Sequence, residues 1–151
     1  MRFLVSLASA IVLMWSFSSA DLQIYRHNFR KVVSDKTLCE KLISDLEKEK
    51  NSSAVYLGYL GAYQTIWANH VFSPLEKLNT FKKGKKNIEQ AIKEQPKNAE
   101  LRFIRFSVQK NAPSFLGYRS NLKEDEEFIR KNRAEIGSEI VNKNIDALLK
   151  D

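Results

Sequence analysis

From Asn51 to Leu75 the chain carries no Asp, Glu, Lys or Arg. A stretch of that length without charge has two homes, a bilayer or the middle of a helical bundle. It is not uniformly apolar, since it includes Gln64, Thr65, Asn69 and His70, groups that are costly in hydrocarbon without partners. Ala54, Gly58 and Ala62 recur every fourth residue, a ridge of small side chains that lets another helix backbone come close. We expect a buried central helix over residues 54–72, with membrane or partner insertion as the alternative.

The rest of the chain reads as helix too. It has 3 Pro and 5 Gly, and its apolar residues fall mostly three and four apart, the spacing of one helical face. Leu22, Tyr25, Phe29, Val32 and Val33 form one stripe, and Leu38, Leu42, Ile43 and Leu46 form the next. The junction falls near Ser34 and Asp35, with Thr37 and Glu40 spaced as a capping box. Asn51, Ser52 and Ser53 interrupt the chain and cap the third helix; they also match a glycosylation sequon. Pro74 suits the first turn of a fourth helix running to about Gln95, and Pro96 stops it. Asn98 caps a fifth helix ending near Lys110. A sixth spans residues 121–136, and Gly137 separates it from a last amphipathic segment, residues 138–149. Connectors are short except the one around Phe115, so the expected fold is all-α, with antiparallel helical hairpins.

The first twenty residues have a different character. Arg2 precedes an apolar run from Phe3 to Trp15, and Ser18, Ser19 and Ala20 follow. That is the three-part pattern of a secretory signal peptide, residues 1–20, cleaved after Ala20. Residues 21–151 would then form a single all-helical domain. The net charge of +7 becomes +6 once Arg2 is removed. A basic excess in an exported protein favours acidic partners, anionic envelope polymers or lipid headgroups over nucleic acid. Cys39 is the only cysteine, which excludes an internal disulfide. Beside Leu38 and Leu42 it should act as a small core side chain.

Gly84, Ile88, Ala91 and Pro96 follow one another at intervals of four, three and five. Their small, large, small and Pro order resembles the second helix of a tetratricopeptide repeat, and Leu57-Gly58 resembles the Leu-Gly pair of such a repeat's first helix. Counting back from Pro96, the first helix of that repeat would fall at about residues 65–78, where Pro74 intrudes. The resemblance therefore implies tetratricopeptide-like (TPR-like) packing without a regular repeat array, and a role in protein-protein interaction by fold analogy. Residues 74–118 also resemble a family of small exported bacterial proteins of unassigned function. The match rests on Phe81, Gly84, Pro96, Glu100, Arg102, Arg105, Pro113, Leu116, Gly117 and Tyr118, with Asp125 and Phe128 beyond. It implies a helical bacterial protein, exported across the inner membrane to the periplasm or secreted, and carries no activity with it.

Little in the sequence suggests catalysis. His27 and His70 lack metal-ligand spacing, so no metal or cofactor is expected. The acidic run Glu124 to Glu127 suits a helix start more than acid-base chemistry. Arg102 and Arg105 lie one turn apart among Phe103, Ile104 and Phe106, with Glu100, Asp125 and Glu126 as nearby carboxylates. Arginines among aromatics can stack and still pair with carboxylates. With Tyr118 and Tyr63 they are the candidate contacts for an unknown protein partner. Lys82, Lys83, Lys85 and Lys86 flank Gly84 and form the alternative, a patch for an anionic envelope polymer or lipid headgroups. The connector holding Phe115, Leu116, Gly117 and Tyr118 should fold back as a plug, with Phe115 and Leu116 in the core, Gly117 in a tight turn and Tyr118 reaching the arginines; a ligand-binding rim is the alternative. The expected function is non-catalytic recognition of a protein partner.

Overall fold

The computed structural model describes residues 19–150. The expected leader lies outside them except for Ser19 and Ala20, which open the first helix. Seven α-helices follow in order: α1 Ser19–Asn28, α2 Lys36–Glu49, α3 Ala54–Trp67, α4 Pro74–Glu94, α5 Ala99–Asn111, α6 Leu122–Asn132 and α7 Glu139–Lys150. Short 3-10 turns punctuate them at Lys31–Val33, Ser114–Leu116 and Arg133–Glu135, and no strand occurs among the described residues.

Side-chain caps set several boundaries. Ser53 Oγ accepts from Tyr56 N at 3.4 Å, Ser73 Oγ from Glu76 N at 3.4 Å and Asn98 Oδ1 from Leu101 N at 3.1 Å. Each occupies one of the donors a helix start leaves unpaired. The second helix departs from its expected capping box. Asp35, not Thr37, is the cap, its carboxylate accepting from Leu38 N at 2.9 Å; negative charge there also suits the helix dipole.

Two helices stop short of their expected ends. α3 stops at Trp67 rather than Phe72, because Asn69 N and His70 N turn back onto Ile66 O and Trp67 O, both at 2.9 Å. The His70 ring then pins this turn through Nε2, 2.8 Å from Val32 O. Phe72 is left 93% exposed. α6 likewise ends at Asn132 and tightens into the 3-10 turn Arg133–Glu135.

The uncharged helix is the spine. α3 packs mainly on α4, with α2 and α5 on its other sides. Its contact with α4 runs through glycines. A Cβ on Gly61 would sit 2.6 Å from Gly84 O, and one on Gly84 would sit 2.8 Å from Thr65 N. Backbone cannot swing aside as a side chain can, so the two helices close only because both positions lack a Cβ. Of the expected ridge, Gly58 packs against the side chains of Leu101 and Ala91, while Gly61, off that ridge, is the one that meets backbone. The polar residues of α3 are satisfied inside the protein. Asn87 Nδ2 donates to Gln64 Oε1 at 2.7 Å, Gln64 Nε2 donates to Glu47 Oε1 at 3.2 Å, and Thr65 Oγ1 donates to Ala62 O at 2.7 Å. Among the described residues no helix is long and apolar enough to cross a membrane.

Gly84, Ile88 and Ala91 are buried as their spacing predicts. Residues 65–78 hold the end of α3, a turn and the start of α4, so no separate first helix of a repeat precedes them. Cys39 is fully buried. Burial, and then the charge of Asp35, push its thiol up to about 12, so the nucleophilic thiolate is scarce at neutral pH.

Candidate functional site

The two arginines singled out from the sequence, Arg102 and Arg105, lie in a largely buried network. Arg105 donates Nε to Asp125 Oδ2 at 2.6 Å and Nη2 to Asp125 Oδ1 at 2.8 Å, a two-pronged pair that matches guanidinium to carboxylate. Its Nη1 reaches Glu89 Oε2 at 3.1 Å, and Tyr118 donates to Glu89 Oε1 at 2.6 Å. Arg102 donates Nη1 to Asp125 Oδ1 at 2.9 Å and to Glu124 Oε1 at 3.0 Å, holds Pro96 O, and covers the Phe128 ring at 4.8 Å. Asp125 is 0% exposed. Burial would lower the Arg105 pKa, but hydrogen bonding to Asp125 and its charge outweigh that and raise it. The network ties α4, α5 and α6 together.

Arg102, Arg105 and Tyr118 thus come together, whereas Tyr63 lies elsewhere, fully buried and donating to Tyr25 O at 2.6 Å. Glu100 and Glu126 also pair elsewhere. Arg26 forks onto Glu100 at 2.7 and 2.6 Å while Tyr59 donates to Glu100 Oε1 at 2.7 Å, joining α1, α3 and α5; Glu126 holds Arg130 on its own helix. Burial first, and then Glu100, raise the Tyr59 pKa well above its ordinary value. His70, Glu100 and Tyr118 belong to three separate networks, and among the described residues no three of His, Cys, Asp and Glu converge as metal ligands. On the lysine face, Lys83 pairs with Glu47 at 3.4 Å and Lys85 lies 4.8 Å over the Tyr118 ring, while Lys82 and Lys86 point to solvent.

The connector corrects the plug expectation. Gly117, at φ 63°, makes the tight turn and delivers Tyr118, 3% exposed, to Glu89. Phe115 is instead 85% exposed and Leu116 only half-buried. Ser114–Leu116 is a 3-10 turn, whose three residues per turn send consecutive side chains in three directions. They cannot all face the core.

Phe115 stands instead at the edge of a cleft of about 840 Å³. The cleft lies where alternating helices bring like ends together: residues after the end of α1, the end of α3, the start of α4, and the later parts of α5 and α7 all line it. Buried Phe29, Phe81 and Phe103 form its floor, with Phe29 and Phe103 ring centres 5.7 Å apart in edge contact. Val33, Leu78 and Phe115 form an exposed apolar rim. No Asp or Glu lines it; Arg30 and Lys77 do. The sequence pointed to this site only through the alternative reading of the Phe115 connector as a ligand-binding rim, because the other walls come from residues as far apart as Phe29 and Leu148.

Compared with known proteins, the chain matches no family model, no curated protein and no solved structure.

Proposed function

We propose that this chain is a non-catalytic binding protein whose working part is the apolar cleft. The observation that carries this reading is a cleft of about 840 Å³ with an aromatic floor and an exposed apolar rim. Ligand sites are commonly concave, largely apolar and roughly 300–1,000 Å³ in size. The absence of chemistry is supported by how the reactive groups are used. Glu100 and Asp125 are held by arginines, and His70 is tied to a backbone carbonyl. A second reading, docking of a protein partner as expected from the helical hairpins, is favoured by Phe72 and Leu75. They are 93% and 67% exposed beside the cleft-lining Pro74, and exposed apolar patches mark contact surfaces.

Nile red, an uncharged dye that brightens in apolar surroundings, tests the cleft directly. The purified protein should bind it in a saturable manner, and Ala147→Trp, which fills the cleft from α7, should weaken binding at least tenfold. Leu78→Asp, at the partly exposed rim, provides a second variant if the first perturbs folding. Undiminished binding in folded forms of both variants would rule out the cleft as the site.

A further inference from the structure

The cleft is electrically one-sided. The sequence has 18 Asp and Glu, yet none lines this cavity, while Arg30 and Lys77 do. Neither cation has an ion-pair partner among the described residues. Arg30 is exposed, and Lys77 spends its ammonium on a backbone acceptor, Ala68 O, at 3.0 Å. Of the other described arginines, Arg26, Arg102, Arg105, Arg130 and Arg133 each hold a carboxylate, and Arg119 does not.

The two cations also share a neighbourhood. Lys77 reaches Ala68 at the close of α3, and His70, two residues on, holds Val32 O next to the cleft-lining Val33. Arg30 begins the same Arg30–Val33 segment. Lys77 thus puts positive charge at the 68–70 turn, and Arg30 adds a second lining cation from the neighbouring segment. The wall from α5, α7 and the 3-10 turn presents Val108, Ala112, Leu116, Ala147 and Leu148 with the uncharged polar groups of Ser107, Asn111 and Asn144, and Lys110, outside the lining, holds Leu148 O. Phe29, Phe81 and Phe103 form the floor.

From this we infer that the cleft takes a single-chain anionic amphiphile, with its acyl chain over the phenylalanine floor and its headgroup at Arg30 and Lys77. The inference rests on the cleft being the binding site, and adds the ligand's class. A flat surface patch would suit a bilayer face; a concave site with a phenylalanine floor, two lining cations and no lining carboxylate suits one amphiphile molecule. Positive charge in the lining also selects against cationic amphiphiles of the same length, because at low salt it places like charges together.

The test uses dodecanoate, dodecanol and dodecyltrimethylammonium below their micellar concentrations, each displacing Nile red from the purified protein at low salt. Dodecanoate should displace the dye at least tenfold more strongly than dodecyltrimethylammonium, with dodecanol between them. Arg30→Gln combined with Lys77→Gln should erase the difference between dodecanoate and dodecanol, each displacement being referred to the variant's own Nile red affinity. Equal displacement by all three, or a preference that survives the double substitution, overturns the inference while leaving the cleft as an apolar site. Failure of Nile red to bind overturns both. Occlusion of the cleft by a second copy, seen as a dimer in sedimentation that the three amphiphiles do not disturb, also overturns it.

Discussion

Asp125→Ala should cost about 3–5 kcal/mol of folding stability, the range for removing one partner of a buried ion pair. Asp125 is fully buried and accepts from both Arg105 and Arg102, whose side chains are only 6% and 12% exposed. Without it the two guanidiniums keep only Glu89 and Glu124, both substantially exposed, as counter-charges. For a chain of this size the melting temperature should fall by roughly 10–15 °C. Glu126→Ala removes an exposed pair within α6 and should change stability by less than about 1 kcal/mol. Urea unfolding of both variants measures the contrast. Similar small losses in the two would show that the Asp125 network does not hold the bundle.

Alkali should unfold this protein more steeply than a typical domain. Burial, in each case the leading cause, raises the pKa of Tyr59, Tyr63 and Tyr118 above the ordinary value of 10.0. The unfolded chain ionises these phenols near pH 10 while the folded chain keeps them neutral. Their contribution is therefore fully present below pH 10 and is lost as pH climbs toward the folded values. Three such tyrosines should lower stability by about 4 kcal/mol between pH 9 and pH 11, a large part of the roughly 5–15 kcal/mol that holds most domains. Urea midpoints at pH 9, 10 and 11, read with tyrosinate absorbance, should fall together with the onset of ionisation. A constant midpoint across that range would mean that these rings are accessible to hydroxide in the folded protein.

Local signals carried most of the secondary structure. Ser53, Asn98 and Pro74 mark helix starts because capping and the fixed proline φ act within a turn, and these starts are found where the residues place them. The burial of α3 was legible because a chain without charge over residues 51–75 must be covered. The end of α3 was not, since its apolar run continues past Trp67 while the turn is fixed by a contact with Val32, distant in sequence. Ion pairing was partly legible. Asp125 was among the carboxylates near Arg102 and Arg105, but Glu89 was not, and Glu100 goes to Arg26, 74 positions away. Choosing among 18 carboxylates requires the three-dimensional arrangement of helices. The cleft was the least legible feature, because five helix ends build it and no segment contains enough of its wall to leave a pattern.

The two kinds of charged site have different consequences. In the Arg102 and Arg105 network every strong donor already has an acceptor within the chain, so binding there must break existing pairs. At Arg30 and Lys77 the proposed ligand's carboxylate would meet cations that hold no carboxylate among the described residues. The second arrangement offers association without loss of structure.

Heteronuclear NMR of the protein titrated with an apolar ligand such as Nile red reports the site most directly. Resonances of Phe29, Val33, Leu78, Phe103 and Leu148 should shift together and saturate with one affinity, while Arg102, Arg105, Tyr118 and the Lys82 to Lys86 face stay fixed. Shifts centred on the arginines or on that lysine face, with the cleft residues unmoved, would place recognition elsewhere and overturn the cleft as the working part of this protein.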